Sequence, residues 1–290
     1  MGYQLFTDSD CDITPELCAE YGYKLISMPY TIEGELVRPY EDFDKFDAKA
    51  FYDRLRGGVL PTTSAISEQN YIDYFEPAFK EGKDILYVHF SAAMTNTFDF
   101  MNQAVKALKE KYPERKFYEI DTKGITTISL NIVLEVGDLA RAGKSAEEIV
   151  EWAKTEVDHF AMYFTVDDLK FFHKSGRVSG LSAVMGTLIG IRPIITMSQE
   201  GKMVSCGKEK GRKKAISHLV NKVEELGDHV KEHRILIGHS DAPDMAEELK
   251  NALIEKLGAD AKIEFVFVNP TAGSHCGPNG VGVTFHAIHR

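Results

Sequence analysis

Short apolar runs that alternate with longer amphipathic stretches constrain the fold of this chain more than any other feature. Residues 3–7, 25–30, 84–88 and 116–120 have the length and residue types of strands, while helical patterns begin near Pro15, Thr95 and Gly124. Such a rhythm implies a parallel α/β sheet, and in such sheets ligands gather at the loops beyond the carboxyl ends of the strands. A hairpin over residues 31–37, turning on Glu33-Gly34, is expected to decorate that sheet.

Beyond about residue 160 the texture changes. Helical residues 146–158 close the first half, and a strand-like Phe160-Ala161-Met162-Tyr163-Phe164 opens the second. A Gly-rich helical region follows, then strands at 193–197 and 202–206, a helix near 212–226, and strands at 234–239 and 263–268. A chain of 290 residues favours two lobes over one core. The expectation is an α/β fold with a parallel-sheet N-terminal lobe over residues 1–160, a second α+β lobe over residues 161–290, and room for a ligand between them.

With 43% hydrophobic and 27% charged residues the chain is of ordinary globular composition. Its net charge of -10 repels nucleic acid phosphates and anionic membrane surfaces. A DNA-binding role is further disfavoured by the lack of a clear helix-turn-helix pattern. Lys208, Lys210, Arg212, Lys213 and Lys214 form a local basic cluster, which reads either as a solvated helix start or as an anion contact. Cys11, Cys18, Cys206 and Cys276 show no Cys-x-x-Cys spacing, so a reducing compartment is the simple reading. No leader-like segment opens the chain and no apolar run reaches membrane-spanning length. The expected location is the cytoplasm, without integral membrane association.

Several motifs fall short of known chemistry. Asp8-Ser9-Asp10-Cys11-Asp12 follows an apolar strand and resembles the aspartate nucleophile and acid partner of haloacid-dehalogenase-type phosphatases, although Asp12 stands where those enzymes carry Thr or Val. The alternative function is therefore a small-molecule phosphatase using Asp8 and Asp10. As a calcium loop the same run fails at Ile13 and Ala19. It also reads as a capping cluster, with Asp12 or Thr14 as N-cap and Pro15 in the first helical turn. Gly143-Lys144-Ser145 ends like a phosphate-binding loop, but Asp138 occupies the required upstream glycine position, and a helix stop followed by an N-cap explains it better. His229 and His233 have helical metal-site spacing without further ligands, which favours an exposed polar helix end.

Four separated segments are unusual for a plain core. Pro61-Thr62-Thr63-Ser64-Ala65-Ile66-Ser67 and Ser91-Ala92-Ala93-Met94-Thr95-Asn96-Thr97 are hydroxyl clusters. Lys174-Ser175-Gly176-Arg177-Val178-Ser179-Gly180 joins helical pieces, and His275-Cys276-Gly277-Pro278-Asn279-Gly280-Val281-Gly282 is a Gly-rich turn leading into a last strand. Singly, each is explained by caps, turns or a structural histidine. In this order, and together with Asp8-Ser9-x-x-Asp12, they resemble the DegV family, whose usual forms read T-S-Q-P-S, S-S-G-L-S-G-T, K-G-G-R-I-S and H-x-G-P-G-x-x-G. The chain departs from these at Ala65-Ile66, Ala92-Ala93, Thr95-Asn96 and Ser175, and added side chains at Ala93 and Asn96 alter the pocket's shape or backbone.

The resemblance implies a DegV-like fold with a long-chain fatty acid in a tunnel between the lobes, its carboxylate held by hydroxyls and a histidine. The matching positions are Thr63, Thr95 and His275, with Ser64 and Ser91 as further hydroxyls. Physics favours such a site: hydroxyl and imidazole donors offset the cost of burying a carboxylate, and each buried CH2 contributes roughly 0.8 kcal/mol. Leu181, Val184, Met185, Leu188, Ile189 and Ile191 either line the tunnel or pack the second lobe's core. The resemblance further implies a non-catalytic, acyl-binding subunit that presents its ligand to a separate ATP-binding fatty acid kinase subunit. Arg177 and Arg212 are then the candidates for contact with that partner or with the phosphoryl group. No cofactor is called for.

Overall fold

The structure is a computed structural model and describes residues 2–179 and 190–290, with only the backbone of Ser179. In chain order its first strands are β1 (Tyr3–Asp8), β2 (Tyr23–Ile26), β3 (Tyr30–Ile32), β4 (Glu35–Val37), β5 (Thr62–Thr63), β6 (Asp84–His89) and β7 (Phe117–Asp121). The expected parallel sheet is present, in the order β2-β1-β6-β7. Thr14 starts the helix Pro15–Tyr21 by accepting from the Leu17 N–H at 3.4 Å, and Pro15 sits in the first turn, where its missing N–H leaves no bond unmade.

The hairpin of β3 and β4 turns on Glu33 and Gly34, whose positive φ angles of 51° and 88° match the twist of a two-residue loop. It does not extend the parallel sheet. β3 pairs instead with β5 in a separate three-stranded sheet, which fixes the backbone of Thr63 against Tyr30.

A third sheet begins at Phe160. Its strands β8 (Phe160–Thr165), β9 (Val178–Ser179), β10 (Ile191–Met197), β11 (Met203–Lys210), β12 (Ile235–His239), β13 (Ile263–Phe267) and β14 (Val281–His286) lie in the order β13-β12-β14-β8-β10-β11-β9. The pleat divides β8 between two cores: Phe160 and Met162 join one apolar cluster, Ala161 and Tyr163 the other. The helices Arg212–Leu226 and Pro243–Leu257 supply Leu219, Val223, Leu249 and Leu253 to the second cluster.

The helix Thr127–Arg141 joins the parallel sheet and the seven-stranded sheet. It is apolar nearly all round, with Ile128, Leu130, Ile132, Val133, Leu134 and Val136 buried, and such a helix is stable only when enclosed. It packs on β8, β12 and β14 and also on the helix Pro15–Tyr21. Thr127 Oγ1 lies 2.8 Å from Thr284 Oγ1, and Asn131 Nδ2 donates to the Arg234 carbonyl at 3.1 Å, while Asn131 Oδ1 has no partner among the described residues. One apolar cluster thus runs from Leu5 and Phe6 of β1 to Leu236 of β12 and Ala272. No described helix is long and apolar enough to cross a membrane.

Candidate functional site

The four unusual segments converge. Thr63 ends β5, just before Ser67 caps the helix Glu68–Lys80 in a reciprocal capping box with Asn70. The segment after β6 forms a short turn, Ala92–Met94, and Thr95 Oγ1 then accepts from the Thr97 N–H at 3.1 Å to open the helix Thr97–Lys111. The basic segment leaves the helix Lys170–Ser175 at Gly176 and passes Arg177 into the extended β9, and the residues it leads into lie outside the described ones. His275 sits in the last turn of the helix Pro270–Cys276, which Asn269 caps by accepting from the Ala272 N–H at 2.9 Å.

These elements surround a polar chamber lined by Asp10, Thr63, Ser64, Thr95, Arg177 and His275, with Phe90, Met94, Asn96, Thr97, Ile125 and Thr271 between them. Thr63 Oγ1 and His275 Nε2 are 2.9 Å apart. Burial, and then the positive charge of Arg177, push His275 down to about 4, so its ring is neutral at neutral pH. A neutral imidazole has one donor and one acceptor, and a hydroxyl has one proton. The Thr63–His275 bond consumes one proton in either tautomer and leaves one over, on Nδ1 or on the threonine oxygen. Nδ1 is buried and has no partner among the described residues. The pair therefore presents a single unspent donor beside a guanidinium cation.

A second, apolar chamber adjoins the first, and the two share Met94, Ile125 and His275 as walls. The apolar walls come mainly from the seven-stranded sheet and the segments beside it: Met162, Phe164 and Val166 from and just beyond β8, Met203 from β11, Val281 from β14, and Phe172, Val268 and Ala272; the parallel sheet contributes through Met94 and Ile125, in the loops after β6 and β7.

Two clamps hold the halves of this site together. Asp12 Oδ1 accepts from both the backbone N–H and the Nδ2 of Asn269, at 2.8 and 2.7 Å, and thereby fixes the start of the histidine helix. Thr271 Oγ1 donates to the Met28 carbonyl at 2.7 Å, while the Met28 N–H donates to Ser9 Oγ at 2.9 Å. The Asp8-Ser9-x-x-Asp12 motif thus braces the site. Asp12 does not cap the first helix; Thr14 does.

Other expected residues lie elsewhere. Ser91 is fully buried and lines neither chamber; its hydroxyl donates to the Gly201 carbonyl at 2.7 Å and accepts from the Ala93 N–H, which ties the loop after β6 to the β10–β11 turn. Arg212 begins the helix Arg212–Leu226, pairs with Glu248 at 2.7 Å, and lies outside both chambers. Asp8 is fully buried, with Oδ1 accepting from the Asp10 N–H and the Cys11 thiol and Oδ2 from the Tyr87 hydroxyl and Phe90 N–H. It has neither a free oxygen nor access to a cavity, as a phosphatase nucleophile requires. His229 and His233 occupy a turn, and the His233 ring stacks on His286 with centroids 3.9 Å apart. Leu181, Val184, Met185, Leu188 and Ile189 fall outside the described residues; Ile191 opens β10 and lines neither chamber.

A parallel sheet and a mixed sheet clasped around one apolar helix, with a polar chamber beside an apolar one, define a two-chambered α/β protein. The family model described as "Uncharacterised protein, DegV family" matches residues 3–287, and the chain belongs to the DegV family. It is 30% identical over 288 residues to a DegV domain-containing protein of Clostridium perfringens, covering 98% of this chain and 97% of that one. Among solved structures, a fatty acid binding DegV family protein from Thermus thermophilus has a TM-score of 0.87 at 23% identity, over 99% of this chain and 100% of that one. A fatty acid binding DegV family protein from Streptococcus agalactiae has a TM-score of 0.83 at 26% identity, over 98% of both chains.

Proposed function

We propose that this protein binds one long-chain fatty acid, with the carboxylate in the polar chamber and the alkyl chain in the apolar one. The observation that carries this reading is the shared wall: His275, Met94 and Ile125 face both chambers, so a single amphiphile bridges them. The free donor of the Thr63–His275 pair and the charge of Arg177 suit an anionic head group, since hydrogen bonds to an ionised oxygen are about twice as strong as neutral ones. The chain supplies most of the affinity, at roughly 0.8 kcal/mol per CH2 removed from water. The fatty acid binding described for the Thermus and Streptococcus relatives supports the same assignment. In this reading Thr63, Thr95, Ser64 and His275 contact the head group, and residues 1–160 and 161–290 act as two units that close on the ligand. Titration with palmitate and with hexadecan-1-ol tests it. Saturable palmitate binding at one per chain, with the alcohol at least tenfold weaker, is the expected result; equal binding of the two removes the carboxylate site.

The same reading extends to a partner. The bound carboxylate is presented to a separate ATP-binding subunit and attacks the terminal phosphoryl group, giving an acyl phosphate and ADP. The sequence has no intact phosphate-binding loop of its own, because Asp138 stands at the upstream glycine position before Gly143-Lys144-Ser145. Arg177, on the wall of the polar chamber, is the residue suited to neutralising phosphoryl charge. Arg212, paired with Glu248 away from the chambers, is suited only to subunit contact. With a matching kinase subunit supplied, Arg177→Ala should lower turnover of bound ligand, and Arg212→Ala should raise the subunit concentration needed for half-maximal rate. Full turnover by both variants would exclude these roles.

A further inference from the structure

The polar chamber contains a carboxyl group, Asp10, that a site for an anion would be expected to exclude. Asp10 is 5% exposed and lines the chamber, and its Oδ1 has no hydrogen-bond partner among the described residues. Its backbone is fully engaged, with the N–H donating to Asp8 Oδ1 at 3.1 Å and the carbonyl accepting from the Thr126 N–H at 2.8 Å. Only the side chain is unassigned. A buried, unpaired polar atom is costly, and in native structures it points to a group supplied from outside.

The groups around Asp10 determine its charge. On its own turn stand Asp8 and Asp12, both buried acids. Across the chamber stand His275, from the helix Pro270–Cys276, and Arg177, from the segment before β9, and among the described residues no other titratable side chain lines the space. The helix Thr127–Arg141, which packs on the Asp10 turn, brings no titratable group before Glu135. Burial first, and then the charges of Asp8 and Asp12, raise Asp10 well above the usual carboxylate range. Two carboxylates cannot both be ionised at close quarters in a poorly solvated site, so an incoming carboxylate favours the protonated form of Asp10 further.

We infer that Asp10 is itself a ligand-binding residue: as a neutral acid it donates its O–H to one oxygen of the bound carboxylate, so that the two carboxyl groups share one proton. This rests on the fatty acid reading above and adds a consequence to it. Ligand binding requires that proton, so once the pH exceeds the point at which free Asp10 ionises, each binding event takes a proton up from solution. Affinity should then fall with rising pH, approaching tenfold per pH unit. His275 is already neutral across this range and a guanidinium does not lose its proton in a protein, so neither produces such a slope; Asp8 and Asp12, raised to about 6 and about 7, add only a shallow part of it at the lower end.

Palmitate dissociation constants for the wild type, Asp10→Asn and Asp10→Ala, measured from pH 6 to 10, test the inference. The wild type should weaken as pH rises. Asp10→Asn, which keeps a donor but cannot ionise, should bind within about tenfold of the wild type at pH 6 and show a much shallower slope, left by the neighbouring Asp8 and Asp12 alone; Asp10→Ala should bind at least tenfold more weakly there. Thermal melts of each variant verify folding, and Asp10→Ser, a smaller neutral donor, replaces Asp10→Asn should that variant not fold. Parallel pH profiles for wild type and the neutral-donor variant, or a flat wild-type profile, would overturn the role of Asp10 while leaving the fatty acid reading intact. Absence of palmitate binding by the wild type at every pH would overturn the reading itself.

Discussion

Thr63 Oγ1 and His275 Nε2 meet at 2.9 Å although 212 positions separate them in the chain. One partner is fixed by the pairing of β5 with β3, the other by the last turn of a helix capped by Asn269. Because the pair offers one spare proton whichever way the bond runs, it acts as a unit toward a ligand. His275→Ala should weaken palmitate binding by about 1–3 kcal/mol, the usual cost of leaving a buried acceptor unpaired, and Thr63→Val by a similar amount. The double variant should lose clearly less than the sum of the two. Binding isotherms for the three variants check this, and strict additivity would mean that the two side chains act separately.

Asp12 links the first turn of the chain to the histidine helix. Asp12→Ala strands the Asn269 N–H and Nδ2 together, so a loss of about 3 kcal/mol in urea unfolding is expected, given roughly 1–3 kcal/mol for each buried donor left without an acceptor. Asp12→Asn retains an oxygen for both donors and should lose much less.

Asp12 also predicts a pH dependence. Burial raises its carboxyl from 3.8 to about 7, although the two Asn269 donors pull the other way. The folded protein therefore holds a proton that the unfolded chain releases near pH 4. The stabilisation is fully present below pH 4 and is lost as pH rises to about 7. His275 acts in the opposite sense, because its folded value of about 4 lies below 6.5, so the unfolded chain alone takes up a proton between those values and acid destabilises the fold. Comparing wild type with Asp12→Asn cancels the histidine contribution. The stability difference should shift in favour of Asp12→Asn as pH rises from 4 to 7, and a difference independent of pH would show that Asp12 titrates normally.

Ser91 should affect stability and leave ligand affinity nearly unchanged. Gly201 has φ 78°, and a Cβ there would stand 2.2 Å from Ser91 Oγ, so the two loops approach as closely as glycine allows. Ser91→Ala should cost about 1–2 kcal/mol through the unpaired Gly201 carbonyl. Gly201→Ala should cost more, since it adds strain at a left-handed backbone position. Unchanged stability in Ser91→Ala, or a large loss of palmitate affinity, would return Ser91 to the head-group site.

Much of this arrangement was legible because local chemistry announces itself. The apolar runs of β1, β6 and β7, the Glu33-Gly34 turn, the Thr14-Pro15 helix start and the Ser145 N-cap each follow from a few adjacent residues. The insertion of β14 between β12 and β8 left no such trace, since strand order depends on partners far away in the chain. The helix Pro243–Leu257 did leave one, in Pro243 at its start and Met245, Ala246, Leu249 and Leu253 along one face, yet the flanking strands drew the reading away from it. Among hydroxyls, sequence does not distinguish a group facing a chamber, such as Thr63, from one consumed by a backbone carbonyl, as in Ser91. The apolar walls were unreadable for a similar reason: Met162 and Phe164 look like any alternating strand positions until the facing elements are known.

The central claim is that one fatty acid occupies the paired chambers, and mass spectrometry of denaturing extracts from the purified protein tests it most directly. The account predicts about one saturated or monounsaturated long-chain fatty acid released per chain, with substantially less from His275→Ala prepared in parallel. Protein that releases none, and that fails to take up added palmitate or oleate, would contradict it.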